Sequence, residues 1–341
     1  MNEIFLSIII PIYNGERYID KCFSKLPFEN EEIEIIAIDD GSTDNTAEIL
    51  NNIKEEKQNL NVYIQKNKGV SEARNLGINK SRGKWIMFID IDDEIEDTSF
   101  DNAYKMLKKD DKENSKLDMV ICSKNYDREK FTKDKLIEAC LLSNNKLDLN
   151  KLRVNYPISK FYNRLNLINN KIEFNSKIIN GEDMIFNLKN IKNAKKIAIL
   201  SIGFYLCKKN LQSSTNTYNN KVISSDIEFN NEIRKILNEN KWKETIDIVT
   251  VNGIYKCFLN ETLNSKSNYS NLNKLLDMKN YKEAINNLEE LKVEIDRKKY
   301  IILKLIKNNK IKQAKKMMKI YIKIKKVYYK FKKDNVVIEK I

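Results

Sequence analysis

The chain has 341 residues, of which 41% are hydrophobic and 32% are charged, and it contains no histidine. This length and apolar content suit one large α/β domain with an appendage or two modest domains, and they exclude a wholly disordered chain. The lack of histidine excludes Ser-His-Asp and Cys-His catalysis and histidine-ligated zinc. Any proton transfer must therefore be made by Asp, Glu, Lys, Tyr or Cys, and carboxylates are the leading candidates.

The cysteines and the N-terminus indicate the compartment. The five cysteines form no CxxC pair, and the apolar segment at residues 4–12 has no basic flank of the kind that begins a secretory signal. No apolar run approaches the roughly 20 residues that a spanning helix needs. We therefore expect a cytoplasmic protein with reduced thiols.

The positive charge is concentrated at the C-terminus. The chain carries a formal net charge of +14, while residues 297–341 alone hold 17 Lys or Arg and two acids, an excess of 15. A nucleic-acid enzyme more often carries its positive charge around its binding cleft. We therefore expect a basic tail on a nearly neutral body, and no nucleic-acid partner.

Apolar runs and helix-like segments alternate through the first third of the chain. Strands are predicted at residues 6–12, 33–38, 61–65 and 85–89, and helices at 16–26, 44–54 and 71–80. Because the strands are continuously apolar, they predict a mostly parallel sheet that is covered by helices on both faces. Later segments predict a strand at 117–122, a helix at 133–142, a strand at 197–200 and a mainly helical region from about residue 226.

Polar loops follow two of these strands. Tyr13-Asn14-Gly15 follows the first strand, and Asp39-Asp40-Gly41-Ser42 follows the second. The carboxyl ends of parallel strands are where α/β sheets bind ligands. These loops are therefore candidate ligand-binding segments.

The densest signal is a cluster of carboxylates after the fourth strand, Asp90-Ile91-Asp92-Asp93-Glu94. Packing these charges together is unfavourable unless a positive group lies among them, and a hard divalent cation with a bound diphosphate fits. A solvated acidic loop is the alternative interpretation.

A second acidic signal, Gly181-Glu182-Asp183, stands before a helical pattern. Carboxylates at a helix start are stabilised by the helix dipole, which is a sufficient structural explanation. The functional interpretation is a general base that accepts a proton from a sugar hydroxyl. In a chain without histidine, few other residues can take that role.

Together these segments resemble the family 2 glycosyltransferases of the GT-A fold, of the kind that build bacterial cell-surface polysaccharides. The resemblance covers roughly residues 4–205. It rests on four segments: Ser7–Gly15 (SIIIPIYNG), Ile38–Asp44 (IDDGSTD), Gly69–Gly77 (GVSEARNLG) and Gly83–Asp93 (GKWIMFIDIDD).

The resemblance implies a GT-A catalytic domain at residues 1–215, with a mostly parallel central sheet, and a helical C-terminal region at 216–341 that ends in the basic tail. It implies an inverting transfer of a sugar from a nucleotide-diphosphate donor, such as a UDP-sugar. The acceptor would be a hydroxyl of a growing surface glycan or of a lipid-linked saccharide. A homo-oligomer is left open.

The resemblance also assigns roles to residues of the donor site. Pro11 and Tyr13 would line the nucleoside pocket, Asp40 would hydrogen-bond the nucleobase, and Arg74 would lie near the nucleotide. Asp90 would approach the ribose or the sugar. The metal, Mg²⁺ or Mn²⁺, would be held by Asp92 and Asp93.

The remaining assignments concern catalysis and the acceptor. Asp183 matches the family's catalytic base and Glu182 its neighbour. Lys208 and Lys209 would neutralise the charge of the leaving diphosphate. Ser159 and Lys160 fall in the acceptor region.

The tail contains an amphipathic pattern at residues 311–331. One face carries an apolar stripe: Ala314, Met317, Met318, Tyr321, Ile324, Tyr328 and Phe331. Either this helix docks on the protein with a solvated lysine face, or it attaches the protein to an anionic membrane. We favour the membrane, and hence a location at the inner face of the cytoplasmic membrane.

Two other function classes compete with the enzyme. A degenerate fold would hold a nucleotide sugar without turnover, and a donor-hydrolysis assay discriminates it from an enzyme. A nucleic-acid-binding protein would use only the basic tail, and deletion of the tail would then abolish RNA binding.

Overall fold

A computed structural model describes residues 3–113, 116–124, 131–142, 152–208, 217–292, 294–331 and 338–340. Its strands, in chain order, are β1 (Leu6–Ile12), β2 (Ile33–Asp39), β3 (Leu60–Ile64), β4 (Trp85–Phe88), β5 (Glu94–Ile95), β6 (Met119–Cys122), β7 (Lys160–Asn163), β8 (Ile197–Leu200), β9 (Tyr205–Lys208) and β10 (Ile338–Lys340).

Seven of these strands form one sheet in the order β3-β2-β1-β4-β7-β6-β8. All neighbours in it are parallel except β7, which runs antiparallel to both β4 and β6. Every residue of β1 and β2 is buried, as continuously apolar strands covered on both faces should be. The predicted fold class is thereby confirmed.

Thirteen helices are present in the described ranges. They are α1 (Glu16–Phe23), α2 (Thr46–Glu56), α3 (Val70–Lys80), α4 (Asp97–Lys112), α5 (Lys133–Leu141), α6 (Arg164–Asn169), α7 (Glu182–Asn193), α8 (Val222–Ile236), α9 (Glu239–Leu263), α10 (Ser270–Asp277), α11 (Lys279–Asn286), α12 (Arg297–Lys307) and α13 (Ile311–Phe331). Each predicted strand and helix of the first third is present, with ends shifted by a few residues.

Alternating side chains of the strands enter two cores on opposite faces of the sheet. Ile9 and Phe88 belong to one core, while Ile8 and Met87 belong to the other. The first core extends beyond the sheet, because residues of α8 and the first half of α9, such as Phe229, pack in it with those of α7. The predicted domain boundary at 215/216 thus precedes two helices that complete one core of the seven-stranded sheet.

The rest of the C-terminal region has a core of its own. It is built from the second half of α9 and from α10, α11, α12 and α13. Ala314 and Met318 of α13 are fully buried in it, and Met317 and Tyr321 pack against it. These members of the predicted stripe are therefore used in docking the helix, whereas the side chains of Tyr328 and Phe331 lie outside the described residues.

A small second sheet joins residues 338–340 to the end of the carboxylate cluster. In it β10 pairs antiparallel with β9, and β9 pairs antiparallel with β5, whose first residue is Glu94. Within the ranges given above, no helix is both long enough and apolar enough to cross a lipid bilayer.

Candidate active site

The loops after β1 and β2 form one rim at the carboxyl ends of the strands. The N–H of Asn14 donates to Ser42 Oγ at 2.9 Å, and the N–H of Thr43 donates back to Asn14 Oδ1 at 2.8 Å. Pro11 is buried within β1, whereas Tyr13 is 49% exposed on the rim. An exposed ring beside a fixed loop suits contact with a nucleoside, and this role of Tyr13 stays a prediction.

Asp40 is buried and fixes the next turn of the rim. Its Oδ1 accepts hydrogen bonds from Gln65 Nε2 at 2.7 Å and from the N–H of Lys68 at 2.8 Å, and its Oδ2 accepts from the N–H of Gly69 at 2.7 Å. A carboxylate has about four acceptor positions. One position on Oδ2 therefore remains for a nucleobase, and the other three hold the start of α3 in place.

Arg74, on α3, lies at the centre of the site between two carboxylates. Its Nη1 donates to Asp183 Oδ1 at 2.6 Å, and its Nη2 donates to Asp90 Oδ1 at 2.9 Å. The guanidinium is 4% exposed, and the two carboxylates are 23% and 36% exposed. The structure thus links the acidic residue after β4 with the acidic helix start of α7, which are 93 residues apart in the sequence.

The position of Arg74 is set by its neighbours. The guanidinium lies 5.1 Å from the ring centroid of Phe174, whose backbone is held by two hydrogen bonds of 2.9 Å with the side chain of Asn75. Phe174 is in turn stacked on Phe186 of α7 at 3.9 Å. Nε of Arg74 is buried and has no hydrogen-bond partner within the described residues. The two adjacent carboxylates raise the pKa of Arg74 despite its burial, so it carries a fixed positive charge.

Asp183 and Glu182 differ in their surroundings although they are adjacent. Glu182 Oε2 accepts the N–H of Gly181 at 3.0 Å, which is the bond of a helix start. Asp183 uses Oδ1 for Arg74, and its Oδ2 has no hydrogen-bond donor among the described residues. Burial raises the pKa of Asp183, and the charges of Glu182 and Asp90 raise it further against the opposing effect of Arg74. A carboxylate with a raised pKa and an open oxygen is suited to accept a proton.

The acidic turn after β4 is closed by Tyr205. The N–H of Asp93 donates to the carbonyl of Asp90 at 3.0 Å, and the N–H of Asp90 donates to the hydroxyl of Tyr205 at 3.0 Å. The Asp93 carboxylate is buried against the same hydroxyl, while Asp92 is half-buried. This turn presents Asp90 and Asp92 at the edge of the site and draws Asp93 inward.

The carboxylates at this turn fit Mg²⁺ or Mn²⁺ only as part of a larger ligand set. Among the described residues, no three His, Cys, Asp or Glu side chains are grouped to hold a metal. Mg²⁺ sites commonly use one or two carboxylates and complete the shell with substrate phosphates and water. Asp92, with Asp90 beside it, has the oxygen donors for such a site, and metal binding by Asp92 and Asp93 stays a prediction.

The remaining predicted site residues are Lys208, Lys209, Ser159 and Lys160. Lys208 is the last residue of β9 and its side chain, like all of Lys209, lies outside the described residues. Ser159 is buried, and its Oγ donates to the carbonyl of Cys122 at 3.0 Å.

Lys160 is fully buried rather than presented to a ligand. Its Nζ donates to the carbonyls of Arg153, Tyr156 and Ile158 at 2.7–3.1 Å, and burial lowers its pKa to about 7. Direct contact with an acceptor would require Nζ to leave these carbonyls. The structure therefore favours a role in which Lys160 fixes the segment at residues 153–158.

One residue of the site, Phe174, had no signal of its own in the sequence. It looks like an ordinary core aromatic, although Asn75, next to Arg74 in the Gly69–Gly77 segment, is the partner that orders it. The one sequence signal for this contact was Asn75, a polar residue next to the candidate binding residue Arg74 on the same helix.

Comparison with known proteins agrees with this arrangement. Residues 7–174 match the model of the family described as Glycosyl transferase family 2. The uncharacterized glycosyltransferase EpsJ of Bacillus subtilis (strain 168) is 29% identical over 220 residues, which are 62% of this chain and 62% of EpsJ. The putative glycosyltransferase EpsH of the same strain is 27% identical over 279 residues, which are 77% of this chain and 78% of EpsH.

A solved structure has the same fold. The crystal structure of Staphylococcus aureus TarS 1–349 superposes with a TM-score of 0.54 at 20% identity, covering 93% of this chain and 91% of that chain. With the matched motifs in their places around the sheet edge, residues 7–174 form a glycosyltransferase family 2 domain. The matched region spans less than two thirds of EpsJ, so activity and substrates are treated as proposals.

Proposed function

We propose that this chain transfers a glycosyl group from a nucleoside-diphosphate sugar to an acceptor hydroxyl with inversion at the anomeric carbon. The observation that carries the proposal is the Asp183–Arg74–Asp90 arrangement at the carboxyl ends of the strands. It sets one carboxylate with a raised pKa next to another that lies on the predicted diphosphate side. TarS, which has this fold and has been crystallised with UDP-GlcNAc, makes UDP-sugars the first donors to test.

In this proposal each residue has a defined part. Tyr13 and the Asp40 turn hold the nucleoside, and Asp183 Oδ2 accepts the proton of the attacking hydroxyl. Arg74 holds Asp183 and Asp90 at a fixed spacing, because its guanidinium donates a hydrogen bond to each carboxylate. Asp92 and Asp93 would hold a divalent cation together with the diphosphate, and the cation would supply charge stabilisation to the leaving group.

Replacing the proposed base tests the reaction. Asp183→Asn keeps the shape of the side chain but cannot accept the proton, so kcat should fall by roughly 10²–10⁴. Glu182→Gln is the matched control, because an amide oxygen can still accept the N–H of Gly181. The assay is release of UDP from UDP-GlcNAc, UDP-glucose and UDP-galactose, with and without saccharide acceptors.

Donor binding must be measured alongside turnover. A thermal-shift titration shows whether Asp183→Asn still binds the nucleotide sugar, since a ligand stabilises the folded state by mass action. A variant that binds donor and keeps the wild-type rate would show that Asp183 only starts a helix. Stabilisation of the wild type by donors without any turnover would favour the nucleotide-sugar-binding module.

The metal is tested separately. Turnover should be lost in EDTA and restored by Mg²⁺ or Mn²⁺, and Asp92→Asn should weaken this restoration. Full wild-type activity in EDTA would exclude the metal assignment.

We also propose that the helix α13 contacts an anionic membrane through its outer face, which includes Ile324 of the predicted stripe but none of the stripe residues that pack in the core. Ile320 and Ile324 of this face are 51% and 62% exposed, one turn apart. Four exposed lysines share the face: Lys312, Lys316, Lys319 and Lys323. Exposed apolar side chains surrounded by lysines are typical of helices that lie on anionic bilayers.

Vesicle co-sedimentation tests this contact. The wild type should sediment with phosphatidylglycerol–phosphatidylcholine vesicles at low salt and remain free with pure phosphatidylcholine. The pair Ile320→Asn and Ile324→Asn should release it, whereas Ile64→Asn, at a position 59% exposed on β3, should not. Wild-type protein that stays in the supernatant with anionic vesicles would contradict the membrane contact.

A further inference from the structure

A cavity of about 1040 Å³ lies between the acidic helix start of α7 and the C-terminal helices. Glu182 and Asp183 line it on the catalytic side, and Asp226, Lys256 and Lys299 line it on the helical side. A volume of this size is at the upper end for small-molecule sites. The candidate base thus opens into a space that α8, α9 and α12 help to enclose.

The wall formed by α8 is held firmly against the catalytic region. Ser225 Oγ accepts the N–H of Ile179 at 2.9 Å, and Asn175 Nδ2 donates to Glu228 at 3.0 Å. Gly181 packs so closely on Phe229 that a Cβ there would lie 2.7 Å from the ring. Asp226 therefore stands one helical turn, about 5 Å, before a residue that touches the segment carrying Asp183.

Asp226 is a half-buried carboxylate that neighbouring side chains hold in place. Its Oδ2 accepts the hydroxyl of Tyr281 at 2.7 Å and Asn230 Nδ2 at 3.2 Å, and Asn230 is itself fixed by the hydroxyl of Thr250 at 2.6 Å. No hydrogen bond to Oδ1 occurs within the described residues. Opposite this oxygen stands Gly253, where any side chain would collide with the carboxylate. One oxygen is thus fixed by a second layer of residues, as in a preorganised binding site.

The lining indicates the chemistry of the occupant. Five asparagines line the cavity, Asn155, Asn180, Asn219, Asn252 and Asn260, together with the exposed ring of Tyr156. Asn155 Oδ1 has no hydrogen-bond partner in the described part of the chain. The amides of Asn252 and Asn260 already bond within the protein, to Ile248 and Lys299 and to the backbone of Asn219 respectively. The other amides, which can both donate and accept, and the aromatic face of Tyr156 are suited to hydroxyl-rich ligands with apolar ring faces.

The charge of the lining disfavours an anionic occupant. The described lining contains five acids and two lysines, so an added phosphate or carboxylate would meet net negative charge. The acids themselves can accept hydrogen bonds from hydroxyl groups.

We propose that this cavity binds the acceptor as an uncharged saccharide of more than one sugar unit, with Asp226 and Tyr156 as contact residues. The proposal rests on the proposed transferase function and names the substrate class of that site. Lys160, whose Nζ holds the carbonyl of Tyr156, is then a positioning residue for the acceptor wall. This would give the predicted acceptor region at Ser159 and Lys160 an indirect role in place of direct contact.

Chain-length dependence tests the proposal. The probes are methyl glycosides of one, two and three units of glucose, galactose or N-acetylglucosamine, with glucuronic acid glycosides as anionic counterparts, and UDP release is measured. For the wild type, kcat/KM for acceptor should rise with each added unit. Asp226→Ala and Tyr156→Ala should each raise the acceptor KM for the trisaccharide about tenfold, the effect of losing one hydrogen bond or ring contact.

Two controls separate this cavity from the donor site. Asp247 of α9 is a buried carboxylate that bonds to Lys243 and Asn287 and lies outside the cavity. The control variant Asp247→Ala should therefore not change the acceptor KM. Hydrolysis of UDP-GlcNAc without acceptor, measured for every variant, reports on the donor site alone. A wild type without hydrolysis or transfer would refute the proposed function itself.

The outcomes for the cavity are distinct. Equal transfer to one and three units, an unchanged acceptor KM in Asp226→Ala and Tyr156→Ala, or preference for glucuronides would overturn the proposal while the transferase assignment stands. The saccharide assignment would be overturned if the enzyme hydrolyses its donor but no glycoside in the panel accelerates UDP release.

Discussion

The stability of the Asp226→Asn variant, measured relative to the wild type, should increase as the pH rises from 4 to 7. Burial raises the pKa of Asp226 from 3.8 to about 6, against the hydrogen bonds from Tyr281 and Asn230. Between these two pH values the folded protein holds a proton that the unfolded chain has lost, so the wild type loses stability as pH rises through this window. A shift of about 2 pKa units corresponds to about 3 kcal/mol.

The asparagine variant lacks this titration, while its amide oxygen can still accept from Tyr281 and Asn230. The difference in the free energy of unfolding, variant minus wild type, should therefore become more positive by up to about 3 kcal/mol between pH 4 and pH 7. Urea denaturation of both proteins at closely spaced pH values measures it, and other titrating groups cancel in the difference. Parallel stability curves would show that Asp226 is ionised at little cost, and would refute the reasoning.

Three further predictions concern the residues around the cavity and the site. Arg74→Lys keeps the charge but cannot bridge both carboxylates, so kcat should fall at least about tenfold; an unchanged kcat would contradict the bridging role. Lys160→Met removes an amine whose pKa in the folded protein is lowered to about 7. Between pH 7 and pH 10 only the unfolded wild-type chain keeps the proton on this amine, so the wild type gains stability as the pH rises. The variant should therefore become progressively less stable than the wild type over this range. Gly181→Ala, at φ +113° and against Phe229, should cost about 1–3 kcal/mol more than the cost of Gly69→Ala, at φ +91° with no atom nearby; equal losses in thermal unfolding would show that α8 is not tightly packed there.

The sheet and the candidate site carboxylates could be predicted from local sequence. The parallel strands β1, β2 and β4 are mostly apolar, and such runs bounded by polar loops indicate both burial and the edge at which ligands bind. Asp90 and Asp183 stood out for a related reason, since acidic residues directly after a strand or before a helix are visible in a short window of sequence.

The contacts between distant segments could not be read in this way. The sequence resemblance placed Arg74 near the nucleotide, but it did not predict the contact of Arg74 with Asp183, which lies 109 positions away. Lys160 looked like a ligand-binding residue, but its Nζ is satisfied by carbonyls of the preceding turn. The stripe on α13 has the same pattern whether it meets lipid or protein, because amphipathicity records that one face is buried and not what buries it.

The cavity wall is the clearest case of this difference. Asp226 lies in a polar helical segment with nothing to distinguish it from other surface acids, and Gly253 is one glycine in a long helix. Their roles depend on the packing of α8 and α9 against each other and against α7. Because Gly253 has no side chain, there is room for the carboxylate of Asp226 between the helices. Secondary structure follows from short-range patterns, whereas burial of a polar group depends on the complementary surfaces of elements that meet only in three dimensions.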